Sequence, residues 1–329
     1  MCAKPKGGFL ACRRGCLMSL AIGLCCFCWM DCGMAAETAA ENEPYSADAL
    51  WKTLDPFYKQ HVVADGLVIA GSEKVSMYAL REVAYLAPKV LANRSDVLKN
   101  LCEKRRMFVA VMAYSEMQPD LPDCRGMSLW WAYRARGLGS RPVSCGEENV
   151  LNLQGDPWQG ENIFVHEFAH GIHGIIADID KPFAARVTAL YDTAKKSDRF
   201  RGYAIGGPSE FWAEGVQAWF NCNGTIRPKS GGGQSSFEVI GPQGEHVCHI
   251  ATREQLKTHT PEYATLLDQT FGHNEWVYVP VAQRLDEPHL RGFDPAKAPV
   301  FRWPPEVIEG YNREEAEKAK AQTQRKPGT

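Results

Sequence analysis

Hydrophobic positions along this chain fall into helical stripes separated by short continuous runs. Residues 47–60 read as a helix. Val62, Val63, Leu67, Val68 and Ile69 then flank Asp65-Gly66, the pattern of a hairpin. Val75, Tyr78, Ala79, Val83, Leu86 and Val90 recur at helical spacing across residues 73–92. Ser95 is a capping residue type and predicts a short helix through Cys102. Residues 106–115 are rich in Val, Met, Phe and Tyr, as a buried strand would be. Residues 116–160 are dense in Pro and Gly and predict long loops, with a short strand near 150–153. Helices are expected over 160–178, from Pro182 through Lys195, and over 209–220 after Pro208. Residues 224–244 read as a Gly/Ser-rich loop, 252–256 and 261–271 as short helices, and 312–329 as a charged, disordered tail. The pattern predicts an α+β class: helix-rich, with a small mixed sheet, in one domain spanning 45–311.

The first 44 residues stand apart. Lys4, Lys6, Arg13 and Arg14 precede an apolar run from Cys16 to Met30, followed by Gly33, Ala35 and Ala36. A positive stretch, a short apolar stretch and small residues make a secretory signal over 1–36, with a polar linker over 37–44. The run is short for a membrane span, and an uncleaved anchor is the alternative. Export to the periplasm or the extracellular medium follows, and membrane attachment ends with cleavage. Of 12 cysteines, Cys102, Cys124, Cys145, Cys222 and Cys248 lie beyond the leader. An exported chain permits disulfides, and Cys222 with Cys248 is the favoured pair because both flank the Gly-rich excursion.

Composition narrows the function. The chain has 329 residues, 45% of them hydrophobic, and a formal net charge of -2. That is enough chain for a substantial core. The near-neutral balance gives no electrostatic footprint for nucleic acid. Lys104-Arg105-Arg106 and the arginines from 134 to 141 read as solvated faces.

The informative segment is His166-Glu167-Phe168-Ala169-His170. Two histidines four apart share one helix face and can bind one metal ion. Glu167 points beside that metal, where a general base belongs. A catalytic zinc takes three protein ligands and leaves a position open. A continuation with a third histidine six residues on fails, because position 176 is Ile. His173 is one turn past His170 and reads as a helix-surface residue. Glu210 and Glu214 lie one turn apart on the later helix. One can ligate zinc while the other orients a ligand histidine; a solvated acidic face is the alternative. Tyr203, seven residues before Glu210, can donate to a developing oxyanion or serve packing alone.

Together, His166-Glu167-x-x-His170, Tyr203 and Glu210-Phe211-Trp212-Ala213-Glu214 resemble the catalytic domain of anthrax lethal factor and its relatives, including the bacterial Pro-Pro endopeptidases. The resemblance spans residues 162–220, and Trp212 and the segment after it depart from the toxin. It implies a zincin-like domain of gluzincin type. By that resemblance His166, His170 and Glu210 hold one zinc ion, Glu167 is the base, Tyr203 assists the transition state and Glu214 supports from behind. The expected activity is metalloendopeptidase action on a peptide or protein substrate. Two other readings stay open: a zinc-binding surface protein without turnover, and a zinc hydrolase of a non-peptide bond.

Overall fold

The computed structural model describes residues 44–224 and 236–324. The expected signal segment, most of the linker and the glycines 231–233 lie outside these residues.

A five-stranded mixed sheet carries the architecture. Its strands are β1 (Gln60–Ala64), β2 (Leu67–Gly71), β3 (Phe108–Met112), β4 (Gly137–Gly139) and β5 (Val143–Gly146), in the order β1-β2-β3-β5-β4. The three central strands are parallel, with Val68 opposite Phe108 and Ala110 opposite Ser144. Both edge strands are antiparallel to their neighbours. Asp65 and Gly66, both at positive φ, turn β1 into β2, as the sequence predicts.

Strands β2 and β3 read as unbroken apolar runs because both faces are covered. Leu67, Ile69, Val109, Val111, Val143 and Cys145 join the main core beneath the helices Met77–Val90, Ser95–Glu103 and Ile163–Ile179. Val68, Ala70, Phe108, Ala110 and Met112 pack on the other side with Leu50, Tyr58 and Leu121. A second, antiparallel sheet of β6 (Phe200–Arg201), β7 (Glu238–Ile240) and β8 (His246–His249) lies farther along the chain. The class is mixed α/β with a small mixed sheet, and no helix of the described residues is long and apolar enough to cross a membrane.

Several sequence expectations change. The first helix ends at Thr53, before Pro56, and its remaining residues lead into β1. Ser95 is the first helical residue, not the cap; Arg94 holds that place without a side-chain bond. The strand expected near 150–153 lies at Val143–Gly146, followed by the short helix Glu147–Val150. Val-Ser-Cys-Gly carries little strand propensity, and its pairing with β3 decides its state. Part of the tail expected to be disordered lies outside the described residues, and residues 312–324 of it belong to the helix Pro305–Gln324. Its Ala, Glu, Lys and Gln residues are strong helix formers. Tyr311 packs against Trp130 and Tyr133, while Ser128 Oγ and Trp130 Nε1 donate to Glu314 and Glu315.

The disulfide expectation is also corrected. The five cysteines of the described residues are free thiols. Cys222 is buried, while the Cys248 sulfur lies 3.3 Å from His259 Nε2.

Candidate metal centre

The helix Ile163–Ile179 begins where its polar cap permits. Asn162 accepts the Val165 N–H, and Asn149 Oδ1 accepts the Ile163 N–H at 2.7 Å. Two of the helix's otherwise unpaired amides are thereby satisfied. Phe164, Phe168, Ile172 and Ile176 face the core, which turns His166, Glu167 and His170 along the other side.

The helix Pro208–Trp219 crosses it. Gly207 is extended, Pro208 opens the first turn, and Glu210 falls within that turn. Trp212 is fully buried, and its Nε1–H donates to the Ala169 carbonyl at 2.8 Å. Phe183 and Phe271 enclose the same indole. This aromatic packing sets the crossing that brings Glu210 to the histidines.

Three donor atoms converge there. His166 Nε2 and His170 Nε2 are 3.2 Å apart. Glu210 Oε2 lies 3.3 Å from the first and 3.4 Å from the second. A tetrahedral zinc ion with nitrogen and oxygen ligands at about 2.0–2.1 Å holds its donors about 3.3–3.4 Å apart. The triangle therefore fits the ion the sequence implies. A looser grouping of His166, Glu167 and His170 has ligand atoms within 4.8 Å of one another, but the tighter triangle includes Glu210.

Each histidine is oriented from behind. Gln217 Nε2 donates to the Asn162 carbonyl at 3.0 Å, so its Oε1 faces His166 Nδ1 at 2.9 Å. That oxygen only accepts; Nδ1 therefore carries a proton and Nε2 faces the triangle, where it would offer its lone pair once a cation displaces the second proton. Ser209 Oγ stands 3.0 Å from His170 Nδ1 in the same capacity. Glu214, expected in the orienting role, lies 3.9 Å from His166 Nδ1 and contributes charge rather than that hydrogen bond.

Electrostatics ask for a cation. Burial works against a charge on His166, yet Glu210, Glu167 and Glu214 together push it up to about 10. Burial also opposes ionisation of Glu210, but the hydrogen bonds and charges of both histidines hold it well below the usual carboxylate range. The protonated imidazole occupies the role that a metal ion fills in such a pocket. Burial raises Glu167, the two histidines opposing, so this carboxylate has more affinity for a proton than an exposed one. Burial and the charge of Glu210 raise Tyr203, which keeps the phenol a hydrogen-bond donor.

Comparison with known families, curated proteins and solved structures finds no match. The geometry therefore stands alone.

The surrounding wall comes from β4. A Cβ at Gly137 would meet Ile163 and Glu167, and one at Gly139 would meet His170. Two glycines let the edge strand lie directly on the motif helix. Tyr203 sits on the opposite side, its ring 6.2 Å from the His166 ring. A recess of about 60 Å³ opens here, lined by Arg134, Tyr203, His166 and Glu167 among others. A larger cavity of about 780 Å³ lies against Trp219, Arg253 and His273 and includes none of these groups.

The sequence brought His166, Glu167, His170, Tyr203, Glu210 and Glu214 to notice, and all six lie together. His173 packs on Phe183 and Trp212, apart from the donor triangle. Gln217 and Ser209 were missed. Gln217 lies three residues beyond Glu214, a spacing that shares its helix face, and this was the available signal.

Proposed function

We propose that this chain is an exported zinc-dependent peptidase with a zincin-like fold, related to the lethal factor group. The observation that supports it best is the donor triangle of His166, His170 and Glu210 with Glu167 beside it. His166, His170 and Glu210 hold the ion; Gln217 and Ser209 fix the imidazoles. When bound, zinc supplies Lewis-acid chemistry, making water a better acid and polarising a carbonyl oxygen.

The chain's own groups do the rest. Glu167 takes the proton from the attacking water and delivers it to the leaving amine nitrogen. Its raised proton affinity matches both halves of that task. The Tyr203 phenol donates to the developing oxyanion. Among the described residues β4 is an edge strand of the sheet and lies beside the reacting groups; its Gly139 N–H is turned to Glu167, and an extended peptide would pair along the rest of that edge. Residues 1–36 mark the protein for export, placing the reaction in the periplasm or the extracellular medium.

The test compares wild type and Glu167→Gln at equal zinc content against a mixed peptide library, with products read by mass spectrometry. Loss of the base is expected to lower turnover about 10²- to 10⁴-fold with zinc retained. Equal cleavage by both proteins, or cleavage by neither with zinc bound, refutes the reading.

A further inference from the structure

Two arginines two residues apart line the recess at the candidate centre, and they differ in one decisive respect. Arg136 is buried and spent: its guanidinium pairs with both oxygens of Glu148 and donates to the carbonyls of Glu116 and Ala113. Arg134 is partly buried and has neither a hydrogen bond nor an ion pair among the described residues. Its guanidinium carbon lies 5.4 Å from the centre of the Tyr203 ring. Glu161, an acid on the same wall, accepts from Gln217 Nε2 at 3.4 Å.

Arg134 is also held in place. The short helix Leu129–Arg134 packs beneath the C-terminal helix Pro305–Gln324, with Trp130, Tyr133 and Tyr311 between them. The Tyr203 ring then receives the guanidinium on its face. A planar fork of donors, ordered and partly desolvated beside the reacting groups, is the arrangement that reads a carboxylate in two parallel hydrogen bonds.

We infer that Arg134 is a specificity residue that binds a carboxylate of the substrate next to the cleaved bond. The inference rests on the peptidase reading above and adds a substrate class to it: peptides carrying an acidic side chain or a free C-terminus at that position. Arg134 acts on binding, so it sets KM rather than the proton transfers of Glu167.

The experiment uses the full mature chain loaded with zinc. Binding is measured by calorimetry on the Glu167→Gln background, so that no turnover is required. The probes are four matched peptides: Asp or Asn at the varied position, each with a free or an amidated C-terminus. The carboxylate-bearing partner is expected to bind about 10- to 100-fold tighter than its amide match. A preference that follows the Asp/Asn pair names an acidic side chain; one that follows the C-terminus names a terminal carboxylate. Arg134→Gln should abolish the preference, Arg134→Glu should reverse it, and Arg134→Lys should keep part of it. Steady-state kinetics on the Glu167-containing enzyme should show the loss in KM with kcat little changed. Equal binding of all four peptides by the Arg134 protein overturns the inference, as does an undiminished preference in Arg134→Gln. Both outcomes leave the peptidase reading standing if wild type cleaves the library. Selective carboxylate binding without cleavage by wild type sinks the peptidase reading instead.

Discussion

The chain buries two groups of acids, and they are stabilised in opposite ways. The first lies behind the central sheet. Glu148 pairs with Arg136, Glu147 accepts the N–H groups of Ser76 and Tyr114, and Asp156 accepts from Asn149 and Trp158. Every one of these acids finds donors within the protein. The second group, Glu167, Glu210 and Glu214, gathers around two imidazoles whose inward nitrogens face each other at 3.2 Å. That arrangement gathers three acids around two imidazoles, with Glu210 taking hydrogen bonds from both, and its surplus of negative charge wants a cation. Buried charge with internal partners serves the fold; buried charge turned toward one shared point serves a ligand.

The contrast can be broken most forcefully at Arg136. Arg136→Ala leaves Glu148 and two carbonyls without their donor in a fully buried place. Loss of about 3–5 kcal/mol of stability is expected, with or without zinc, measured by denaturant unfolding. Zinc should act only on the second group. At a thousandfold excess over its dissociation constant, it is expected to add about 4 kcal/mol to wild type. His170→Ala and Glu210→Ala should lose that increment, whereas Arg136→Ala should keep it on a lower baseline. Unchanged unfolding of wild type on zinc addition would dismiss the metal centre.

The two groups were unequally legible in the sequence. The second announced itself through fixed spacings on single helices, because helical periodicity converts sequence distance into shared faces. His166 to His170 and Glu210 to Glu214 are both such steps. The first was invisible, since Arg136 and Glu148 meet through the pairing of β4 with β5, which no local pattern encodes. Arg136 was read as solvated for that reason, and it is 1% exposed. β2, β3 and the hairpin at Asp65-Gly66 were readable from apolar runs and turn chemistry, whereas the central strand β5, Val-Ser-Cys-Gly, was not. The second sheet was not: β6 has two residues and β7 three, too short to show a period. The C-terminal helix was hidden because its apolar contacts are confined to its first turns, at Val307 and Tyr311, and the charged residues after them carry no apolar stripe.

The pH response sharpens the first group alone. Burial lifts Glu147 up to about 7, against the pull of its two backbone donors and with Glu148 and Glu116 adding to the rise. Burial likewise lifts Asp156 to about 8, with Glu148 and Glu161 nearby. A folded value above the unfolded one means the native state holds its proton longer. Their contribution is complete below about 4, shrinks as pH rises, and is gone above about 7 for Glu147 and about 8 for Asp156. Asp156→Asn removes one titration while keeping an acceptor for the Trp158 N–H. The stability difference between wild type and variant should therefore move against wild type between pH 5 and 8, by no more than about 1.4 kcal/mol per pH unit. A difference independent of pH would show that Asp156 is ionised throughout.

The finest test separates the two residues that stand behind His166. Gln217 makes the hydrogen bond to Nδ1, while Glu214 lies 3.9 Å away and acts by charge. A residue that fixes the ring and its tautomer is worth about 10- to 100-fold in metal affinity. Gln217→Ala should therefore weaken zinc binding by that factor, read by competition with a chromophoric chelator. Glu214→Gln keeps the shape and removes only a charge, so its effect should be the smaller of the two. Its sign is fixed as well: less negative potential at the imidazoles means weaker zinc binding and a lower proton affinity of His166 in the zinc-free protein. A larger loss from Glu214→Gln than from Gln217→Ala would return the orienting role to Glu214, and the helix face would then carry out with a carboxylate what the structure assigns to an amide.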